Sequence, residues 1–280
     1  MTSSTTGADN AADTFTIGGE FPVRRLGFGA MRLPAAPAPD RERAVAVARR
    51  AVELGVTLID TAHMYGWGAN EELLAEALHP YPEDLLIATK VGIVRSEPDG
   101  YAYDAKPESL RRQVDAGLRR LRIERIGLLQ LHRLDPEVPI AEQVGALREL
   151  QQEGKIGHIG LSEVSAAELA EARRTAEIAS VQNRYNLLDR EHEPVLEACE
   201  AAGIAFLPWR PVAPDSASRL ATAAADLGAT VQQVLLAWLL ARSPVVLPIP
   251  GTASLGHLEE NVAAAGLRLT DSQRESIEQL

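Results

Sequence analysis

The feature of this sequence that most constrains its fold is a regular alternation of short apolar runs with longer amphipathic segments. Runs such as residues 85–88 are apolar throughout, which is typical of a parallel strand buried on both faces. The segments that follow have the periodicity of helices packed on one side. Counted from residues 26–30, eight strands are each followed by a helix, without a break in composition. Eight such units within about 250 residues predict one α/β domain, a (β/α)8 TIM barrel.

Turn residues and capping residues give the predicted boundaries. Strands are expected at 26–30, 56–60, 85–89, 126–131, 156–161, 179–182, 204–207 and 245–248. Helices are expected at 40–54, 70–78, 106–121, 140–153, 165–176, 191–202, 217–227, 230–242 and 255–264, with a last one after residue 270. Asp40 is placed to cap the first helix. Alternation around Gly18-Gly19 predicts a β-hairpin that caps the barrel bottom. The barrel domain should span 14–280, after a disordered tail at 1–13.

Charge and composition exclude several classes of protein. The formal net charge of −11 argues against nucleic-acid binding, which needs clustered Lys and Arg. Cys199 is the only cysteine, so there is no internal disulfide and no thiolate metal site. No apolar run approaches the ~18 residues of a membrane span, and the first residues lack the basic start of a signal peptide. A doubly wound fold is disfavoured because Arg32 stands where its third fingerprint glycine should be. We therefore expect a cytoplasmic protein without membrane contact.

Polar side chains stand where three neighbouring strands end. Asp60 ends the second strand, and Tyr65 lies in the loop after it. Lys90 follows the third strand, and His132 follows the fourth. Barrel enzymes build their active sites at the carboxyl ends of the strands. The sequence therefore predicts that these four side chains converge at one end of the barrel.

These four residue types suit the delivery of a proton to a carbonyl oxygen. A free phenol has a pKa near ~10, and a neighbouring ammonium group is expected to lower the pKa of Tyr65. Asp60 would hold Lys90 in position, and His132 would orient the oxygen by a hydrogen bond. Each residue alone has a plainer interpretation, as a helix cap, a packing aromatic, a salt-bridge partner or a core histidine. All four at one barrel end favour a catalytic site.

Further motifs follow in a fixed order between residues 14 and 264. They are Asp60-Thr61-Ala62-His63-Met64-Tyr65-Gly66, Thr89-Lys90, Leu131-His132, Gly160-Leu161-Ser162, Val181-Gln182-Asn183-Arg184-Tyr185-Asn186, Ile249-Pro250-Gly251-Thr252 and Glu260-Asn261. Together they resemble the aldo-keto reductase superfamily, and within it a bacterial branch that includes pyridoxal reductases. The resemblance implies NADPH-dependent reduction of an aldehyde or ketone. Tyr65 would be the acid, tuned by Lys90 and Asp60, and His132 would orient the carbonyl.

The resemblance also implies a nicotinamide cofactor site. Ser162 and Gln182 match positions that hydrogen-bond the carboxamide, and Trp209 matches the aromatic residue that stacks on the ring. The segment that holds the adenine and the adenosine 2′-phosphate is matched by Gly251, Thr252, His257, Glu260 and Asn261. The helix at 255–264 would offer its N-terminus to phosphate. The full set of expected cofactor-binding residues is Gly29, Met31, Asp60, Ser162, Glu163, Gln182, Trp209, Arg210, Pro211, Ile249, Gly251, Thr252, His257, Glu260 and Asn261.

Several positions depart from the family pattern. Glu163 replaces the usual Asn after the serine, so that a carboxylate would accept from the carboxamide. Arg210 follows the stacking aromatic, and the pyrophosphate loop is cut short at 213–218. Arg210 either replaces that loop's contacts by charge or makes a surface salt bridge. His257 stands where many members place an Arg against the adenosine 2′-phosphate, and Gly251 stands where Lys is frequent. A neutral imidazole lacks the bidentate fork with which Arg binds phosphate. NADPH is the expected cofactor, and these two departures leave use of NADH open.

The substrate is expected to be a small carbonyl compound, bound by a monomer or weak homo-oligomer. The residues expected to line its pocket are Met31, Leu33, Trp67, Tyr101 and Arg133. Arg133 either binds an anionic group of the substrate or pairs with a carboxylate on the rim, and both interpretations stay open.

Three other functions fit parts of the pattern. A metallohydrolase would use Asp60, His63, Lys90, His132 and His158, but the first strand lacks the His-x-His pair such barrels need, and His158 lies at the start of its strand. We therefore expect no metal. A non-catalytic cofactor-binding module, and a reductase of a cyclic imine or enone in a biosynthetic pathway, are the remaining alternatives.

Overall fold

Strands alternate with helices along most of the chain. The computed structural model describes residues 13–34, 37–96, 100–212 and 217–279, with 217–219 described by their backbone alone. Its strands are β1 (Thr14–Ile17), β2 (Phe21–Arg24), β3 (Phe28–Gly29), β4 (Leu58–Asp60), β5 (Leu86–Val91), β6 (Ile93–Ser96), β7 (Gly100–Tyr103), β8 (Ile126–Leu131), β9 (Ile156–Ser162), β10 (Ser180–Gln182) and β11 (Ala205–Phe206). Its α-helices are α1 (Asp40–Glu53), α2 (Ala69–Leu78), α3 (Pro107–Leu121), α4 (Ile140–Gln152), α5 (Ala166–Ala172), α6 (Glu193–Ala202), α7 (Ala217–Asp226), α8 (Val231–Arg242), α9 (Leu255–Ala263) and α10 (Asp271–Glu278). Short 3₁₀ helices cover Ala30–Arg32, Tyr65–Gly68 and Ala264–Gly266.

The parallel sheet is closed into a barrel by residues 245–250. Seven strands form one sheet in the order β3-β4-β5-β8-β9-β10-β11. At one edge the Leu247 amide donates to the Phe206 carbonyl at 2.8 Å. At the other edge the Gly27 amide donates to the Pro248 carbonyl at 2.9 Å. The segment thus joins both edges, and the predicted (β/α)8 barrel is confirmed.

This seam departs from a regular strand for two reasons. Pro248 and Pro250 have no backbone N–H, so the predicted eighth strand cannot form a continuous ladder. The backbones also approach very closely, because a Cβ atom at Gly251 would lie 2.6 Å from the Gly29 oxygen. Glycine at both positions allows this contact between the first and last units of the barrel.

Alternate residues of the strands face two separate apolar clusters. Ile59 and Leu129 point outwards into the core beneath the helices, whereas their neighbours Leu58 and Leu128 point into the barrel. The β1–β2 hairpin contributes Ile17 and Val23 to the inner cluster, so it caps the barrel as predicted. Its turn is tied to the barrel wall because Glu20 pairs with Arg125 at 2.8 Å and with His158 at 3.0 Å.

Helix starts follow their capping residues. Ser165, Thr230 and Thr270 each accept a hydrogen bond from the backbone three residues on, completing capping boxes at α5, α8 and α10. The prediction that Asp40 caps α1 was wrong. The helix begins at Asp40 itself after Pro39, and the Asp40 carboxylate pairs with Arg43 instead.

One loop has structure that was not predicted, and two predicted irregular segments lie mostly outside the described residues. The loop after β5 forms an antiparallel hairpin, β6–β7, which was not predicted. The expected disordered tail at 1–13 and the shortened loop at 213–218 lie outside the described residues except at their ends. Asp13 is described and pairs with Arg268, and residues 217 and 218 begin α7. Across the described ranges, no single helix is long and apolar enough to span a membrane, and residues 220–226 with α8 pass such a test only as a pair bent by 86°.

Candidate active site

A tight, strained turn presents Tyr65 at the carboxyl end of β4. Gly66, Trp67 and Gly68 have consecutive positive φ angles of 60°, 54° and 99°. A left-handed conformation costs a non-glycine residue about 1–2 kcal/mol, so the surroundings must hold Trp67 in place. Gly68 of the same turn packs against Arg120, because a Cβ atom at Gly68 would lie 2.5 Å from the Arg120 Nε atom. The turn therefore packs directly on the Arg120 guanidinium.

Arg120 belongs to a buried network beneath this turn. Its Nε donates to Glu71 at 2.6 Å, and its Nη2 lies 3.0 Å from His63 Nδ1. The other Glu71 oxygen accepts from the Thr89 hydroxyl at 2.6 Å. Burial, followed by the Arg120 charge, lowers the pKa of His63. His63 therefore supports the turn, and sequence reasoning missed Arg120 and Glu71 because each looks like an ordinary helix-surface charge.

The centre of the site is a buried ion pair. Lys90 Nζ lies 2.6 Å from Asp60 Oδ2 and donates to the Thr61 carbonyl at 2.8 Å. The Lys90 side chain is 0% exposed. Burial acts to lower the pKa of Lys90, but Asp60 and Tyr65 outweigh burial, so the pKa is raised. Lys90 is therefore held as an ammonium ion, paired with Asp60 as predicted from the strand ends.

Tyr65 and His132 stand side by side above this pair. Lys90 Nζ lies 5.1 Å from the centroid of the Tyr65 ring, and the Tyr65 and His132 rings meet edge to face at 6.0 Å. The expected lowering of the Tyr65 pKa was wrong in its net direction. Burial raises that pKa by more than Lys90 lowers it. Burial, with Lys90 and Arg133, lowers the pKa of His132 to about 2, so its imidazole is neutral and donates from one nitrogen.

Two glutamines complete the surroundings of Asp60. Gln182 Nε2 donates to Asp60 Oδ1 at 2.8 Å, while Asp60 Oδ2 binds Lys90. Gln130 Nε2 lies 3.5 Å from the same Oδ1 atom, and its Oε1 accepts from Gln182 at 3.4 Å. Gln130 was not predicted from the sequence. The available signal was a polar residue within the otherwise apolar strand β8, where the side chain must face the barrel interior.

Glu163 links two loops next to the predicted nicotinamide site. Its backbone is left-handed, with a φ of 56°. Its Oε1 atom accepts from the Trp209 indole N–H at 2.5 Å and from the Arg184 amide at 2.7 Å. Its Oε2 atom lies 4.0 Å from His192 Nε2. The carboxylate thus fixes the orientation of the Trp209 ring.

The residues expected at the adenosine end lie around the barrel seam and α9. Asn261 is 1% exposed, and its Oδ1 accepts from Gln232 at 2.5 Å. Its Nδ2 donor has no partner within the described part of the chain. At the seam, Gly29 and Gly251 pack backbone against backbone, because a Cβ atom at Gly29 would lie 2.7 Å from the Ile249 oxygen.

Other predicted cofactor residues vary in exposure and in their partners. His257 and Arg210 are exposed, Pro211 and Thr252 are buried, and the side chain of Ile249 lies inside the barrel. Glu260 accepts a hydrogen bond from Thr230. Arg210 makes no ion pair with any described residue, so the surface salt bridge, one of its two open interpretations, is not formed within the described ranges.

The predicted substrate residues differ widely in exposure. Met31 and Tyr101 are 58% and 53% exposed at the rim. Leu33 is 3% exposed and packs in the core beneath the helices, because the 3₁₀ turn before it directs it inwards. Trp67 is half-buried beside His63, at 6.2 Å between ring centroids.

The residues of the metallohydrolase alternative do not all come together. His158 lies at the opposite end of the barrel, paired with Glu20 of the β1–β2 hairpin. No three His, Cys, Asp or Glu side chains of the described ranges form a group suited to a metal ion.

Fold and site together place the chain among the barrel oxidoreductases. The sequence profile described as "Aldo/keto reductase family" matches residues 25–280, and the chain belongs to that family. It is 41% identical over 274 residues to pyridoxine 4-dehydrogenase of Escherichia coli, covering 93% of this chain and 96% of that protein. The resemblance inferred from the motifs is confirmed.

Solved structures extend the comparison. A glycerol dehydrogenase from Gluconobacter oxydans has a TM-score of 0.89 at 27% identity, with 96% of this chain and 95% of that chain covered. An aldo-keto reductase from Klebsiella pneumoniae, solved in complex with NADPH, has a TM-score of 0.85 at 28% identity, with coverage of 95% and 94%. Both cover nearly the whole barrel.

Proposed function

We propose that this enzyme reduces an aldehyde or ketone to the alcohol with NADPH, and that Tyr65 is the proton donor. The observation that carries the proposal is the buried Lys90–Asp60 pair beneath Tyr65, with a neutral His132 beside the phenol. This arrangement supplies a proton and a hydrogen-bond donor to one oxygen atom. The NADPH-bound aldo-keto reductase from Klebsiella pneumoniae and the family membership support the choice of cofactor.

Each residue has a distinct part in this proposal. The neutral imidazole of His132 donates to the carbonyl oxygen and orients it beside the Tyr65 hydroxyl. Lys90 stabilises the phenolate that remains once Tyr65 has given up its proton, and Asp60 holds Lys90 in place. When bound, the reduced nicotinamide supplies the hydride that adds to the carbonyl carbon. The strained turn at Trp67 keeps the Tyr65 backbone fixed during this transfer.

The residues present fit a dinucleotide. Ser162, Gln182 and Trp209 would hold the nicotinamide, and the buried, unpartnered Nδ2 of Asn261 offers a donor to the adenine. Gly29 and Gly251, which the family resemblance also assigns to the cofactor, pack against each other at the barrel seam. The 41% identity to pyridoxine 4-dehydrogenase supports a pyridoxal-like aldehyde among the substrates.

Loss of absorbance at 340 nm tests the proposal directly. Purified protein should oxidise NADPH in the presence of pyridoxal or a nitrobenzaldehyde, and stoichiometric alcohol should form. Tight NADPH binding without turnover of any carbonyl in a broad panel would favour the non-catalytic alternative. Turnover of cyclic imines or enones alone would redirect the assignment.

His257→Arg is expected to strengthen NADPH binding about tenfold, since a bidentate guanidinium–phosphate contact adds 1.5 kcal/mol or more. NADH, which lacks the 2′-phosphate, should be unaffected. Fluorescence titration with both cofactors measures the difference. Equal gains for both cofactors, or none, would show that the 2′-phosphate lies elsewhere.

Gly251→Lys is the contrasting variant. Its Cβ atom would lie 2.6 Å from the Gly29 oxygen, so we expect the substitution to destabilise the fold by about 1–3 kcal/mol.

Glu163→Ala is expected to weaken NADPH binding about tenfold by releasing the Trp209 indole from a charge-assisted hydrogen bond. In a Trp209→Phe background, which lacks the indole N–H, the same substitution should have little further effect. Glu163→Gln retains an acceptor and should bind nearly as well as wild type. Cofactor titrations of the wild type, Glu163→Ala, Trp209→Phe and the double variant form a double-mutant cycle, which measures the coupling between Glu163 and Trp209. Equal losses in both backgrounds would rule out this role.

A further inference from the structure

Arg133 is a cation beside the reacting groups without a carboxylate partner. It follows His132 at the carboxyl end of β8, and its side chain is partly buried. Its Nη1 atom donates to the His132 carbonyl at 2.5 Å and to the Ser162 hydroxyl at 3.2 Å. Neither acceptor is charged. Across the described residues, no Asp or Glu side chain neutralises this guanidinium.

The carboxylates closest along these strands are engaged elsewhere. Asp135 is buried, and its two oxygens accept from the backbone amides of Ala105 and Glu137 at 3.2 Å and 2.9 Å. Glu163 holds Trp209 and a second backbone amide. Each has a structural task that fixes a loop. One of the two interpretations of Arg133 was an ion pair with a carboxylate on the rim. Arg133 forms no such ion pair with Asp135 or Glu163.

The charges at the reaction centre do not cancel. Lys90 is balanced by Asp60, and His132 is neutral, which leaves the charge of Arg133. Burial is the largest effect on both reacting groups: it raises the pKa of Tyr65 and lowers the pKa of His132. The charge of Arg133 has a smaller effect and lowers the pKa of both groups. It therefore acts directly on the reacting groups. Arg133 is thus a positive charge beside the reacting groups that no carboxylate of the described residues pairs with.

We propose that Arg133 binds an anionic group of the substrate, so that the preferred substrates are aldehydes or ketones that carry a carboxylate or phosphate. This inference rests on the proposed function. A guanidinium has five N–H donors in a planar fork, and both protein hydrogen bonds of Arg133 within the described ranges come from Nη1. Nε and Nη2 remain for a bidentate contact with an oxyanion. The Ser162 hydroxyl accepts from Arg133 and keeps its own proton to donate.

Two matched substrate pairs test the proposal at saturating NADPH. The first is 4-carboxybenzaldehyde against its methyl ester, and the second is pyridoxal 5′-phosphate against pyridoxal. For at least one pair, kcat/KM should be about tenfold higher for the charged member, as a charge-assisted contact provides. The pair that shows the preference distinguishes carboxylate from phosphate. Added salt should reduce the preference, because it screens the attraction.

Variants at position 133 connect this preference to the side chain. Arg133→Gln should bring the ratio close to one, chiefly through a higher KM for the charged substrate. Arg133→Lys, which keeps the charge without the fork, should retain part of the preference. If Arg133→Gln fails to fold, Arg133→Lys and the salt dependence of the wild-type ratio still decide the question.

Three outcomes overturn the proposal. The first is a wild-type ratio near one for both pairs, and the second is a preference that survives in Arg133→Gln. The third is weaker NADPH binding by Arg133→Gln with the ratio unchanged, which would assign the side chain to the cofactor. All three leave carbonyl reduction intact. Absence of turnover with all four aldehydes would instead overturn the proposed function, and this inference with it.

Discussion

Replacing Tyr65 with Phe is expected to lower kcat for every carbonyl substrate by about 10²–10⁴-fold, the range that general acid catalysis supplies. The variant keeps the ring that packs at 6.0 Å from His132 and removes only the hydroxyl. Because burial raises the pKa of Tyr65, the phenol is protonated at neutral pH and available as a donor. Steady-state rates at saturating NADPH measure the loss, and a separate cofactor titration should show unchanged affinity.

Tyr81→Phe is the matched control for this substitution. The Tyr81 hydroxyl donates to the Leu121 carbonyl at 2.9 Å, away from the reaction centre. Its removal should cost about 1 kcal/mol of stability and leave kcat unchanged. Tyr65→Phe should show the reverse pattern. Full activity in Tyr65→Phe would exclude Tyr65 as the acid, and similar losses in both variants would indicate a general disturbance.

Lys90→Met is expected to abolish measurable reduction and to destabilise the fold by about 3–5 kcal/mol, the cost of leaving one member of a buried ion pair without its partner. Asp60 would keep Gln182 and Gln130 as hydrogen-bond partners, but no cation would balance its charge. Chemical denaturation measures the stability, and NADPH oxidation measures the activity. Both effects originate in the same 2.6 Å contact.

A second substitution separates these two effects. In Asp60→Asn/Lys90→Met the uncompensated charge is absent, so stability should recover most of the loss while activity stays absent. Lys155→Met is the surface control, because Lys155 pairs with Asp115 at 2.8 Å with both side chains partly exposed, and it should cost only ~0–1 kcal/mol. If the double variant regained activity, Lys90 would be a structural residue. If it stayed as unstable as Lys90→Met, the buried charge would not be the cause.

The barrel and the ion pair could be predicted because they depend on order along the chain. Parallel strands deliver their carboxyl-terminal residues to one edge, so Asp60 and Lys90 were expected to meet before any distance was known. The β1–β2 hairpin was predicted for a similar reason, since its signal is local. Prediction of these features requires only the order of the strands and the identity of the turn residues.

Other features could not be predicted, because they depend on how deeply a side chain is buried and on contacts between distant segments of the chain. The direction of the Tyr65 pKa shift could not be predicted, because the sequence gives the neighbouring charge but not the extent of burial that outweighs it. The contacts of Arg120 with Glu71 and His63 join α3, α2 and the Tyr65 turn, and helix periodicity alone marks such charges as solvated. Arg133 was left open because only the structure shows that the nearby carboxylates are engaged elsewhere.

The seam between Gly29 and Gly251 also has a consequence for synthesis of the protein. One side of this contact comes from the first barrel unit and the other from the last, and the closing hydrogen bonds of Gly27 and Leu247 join the same two parts of the chain. A nascent or truncated chain that lacks the last unit has an open sheet edge and only half of this surface. Closure of the barrel, and of the cofactor site proposed beside this seam, is thereby coupled to completion of translation.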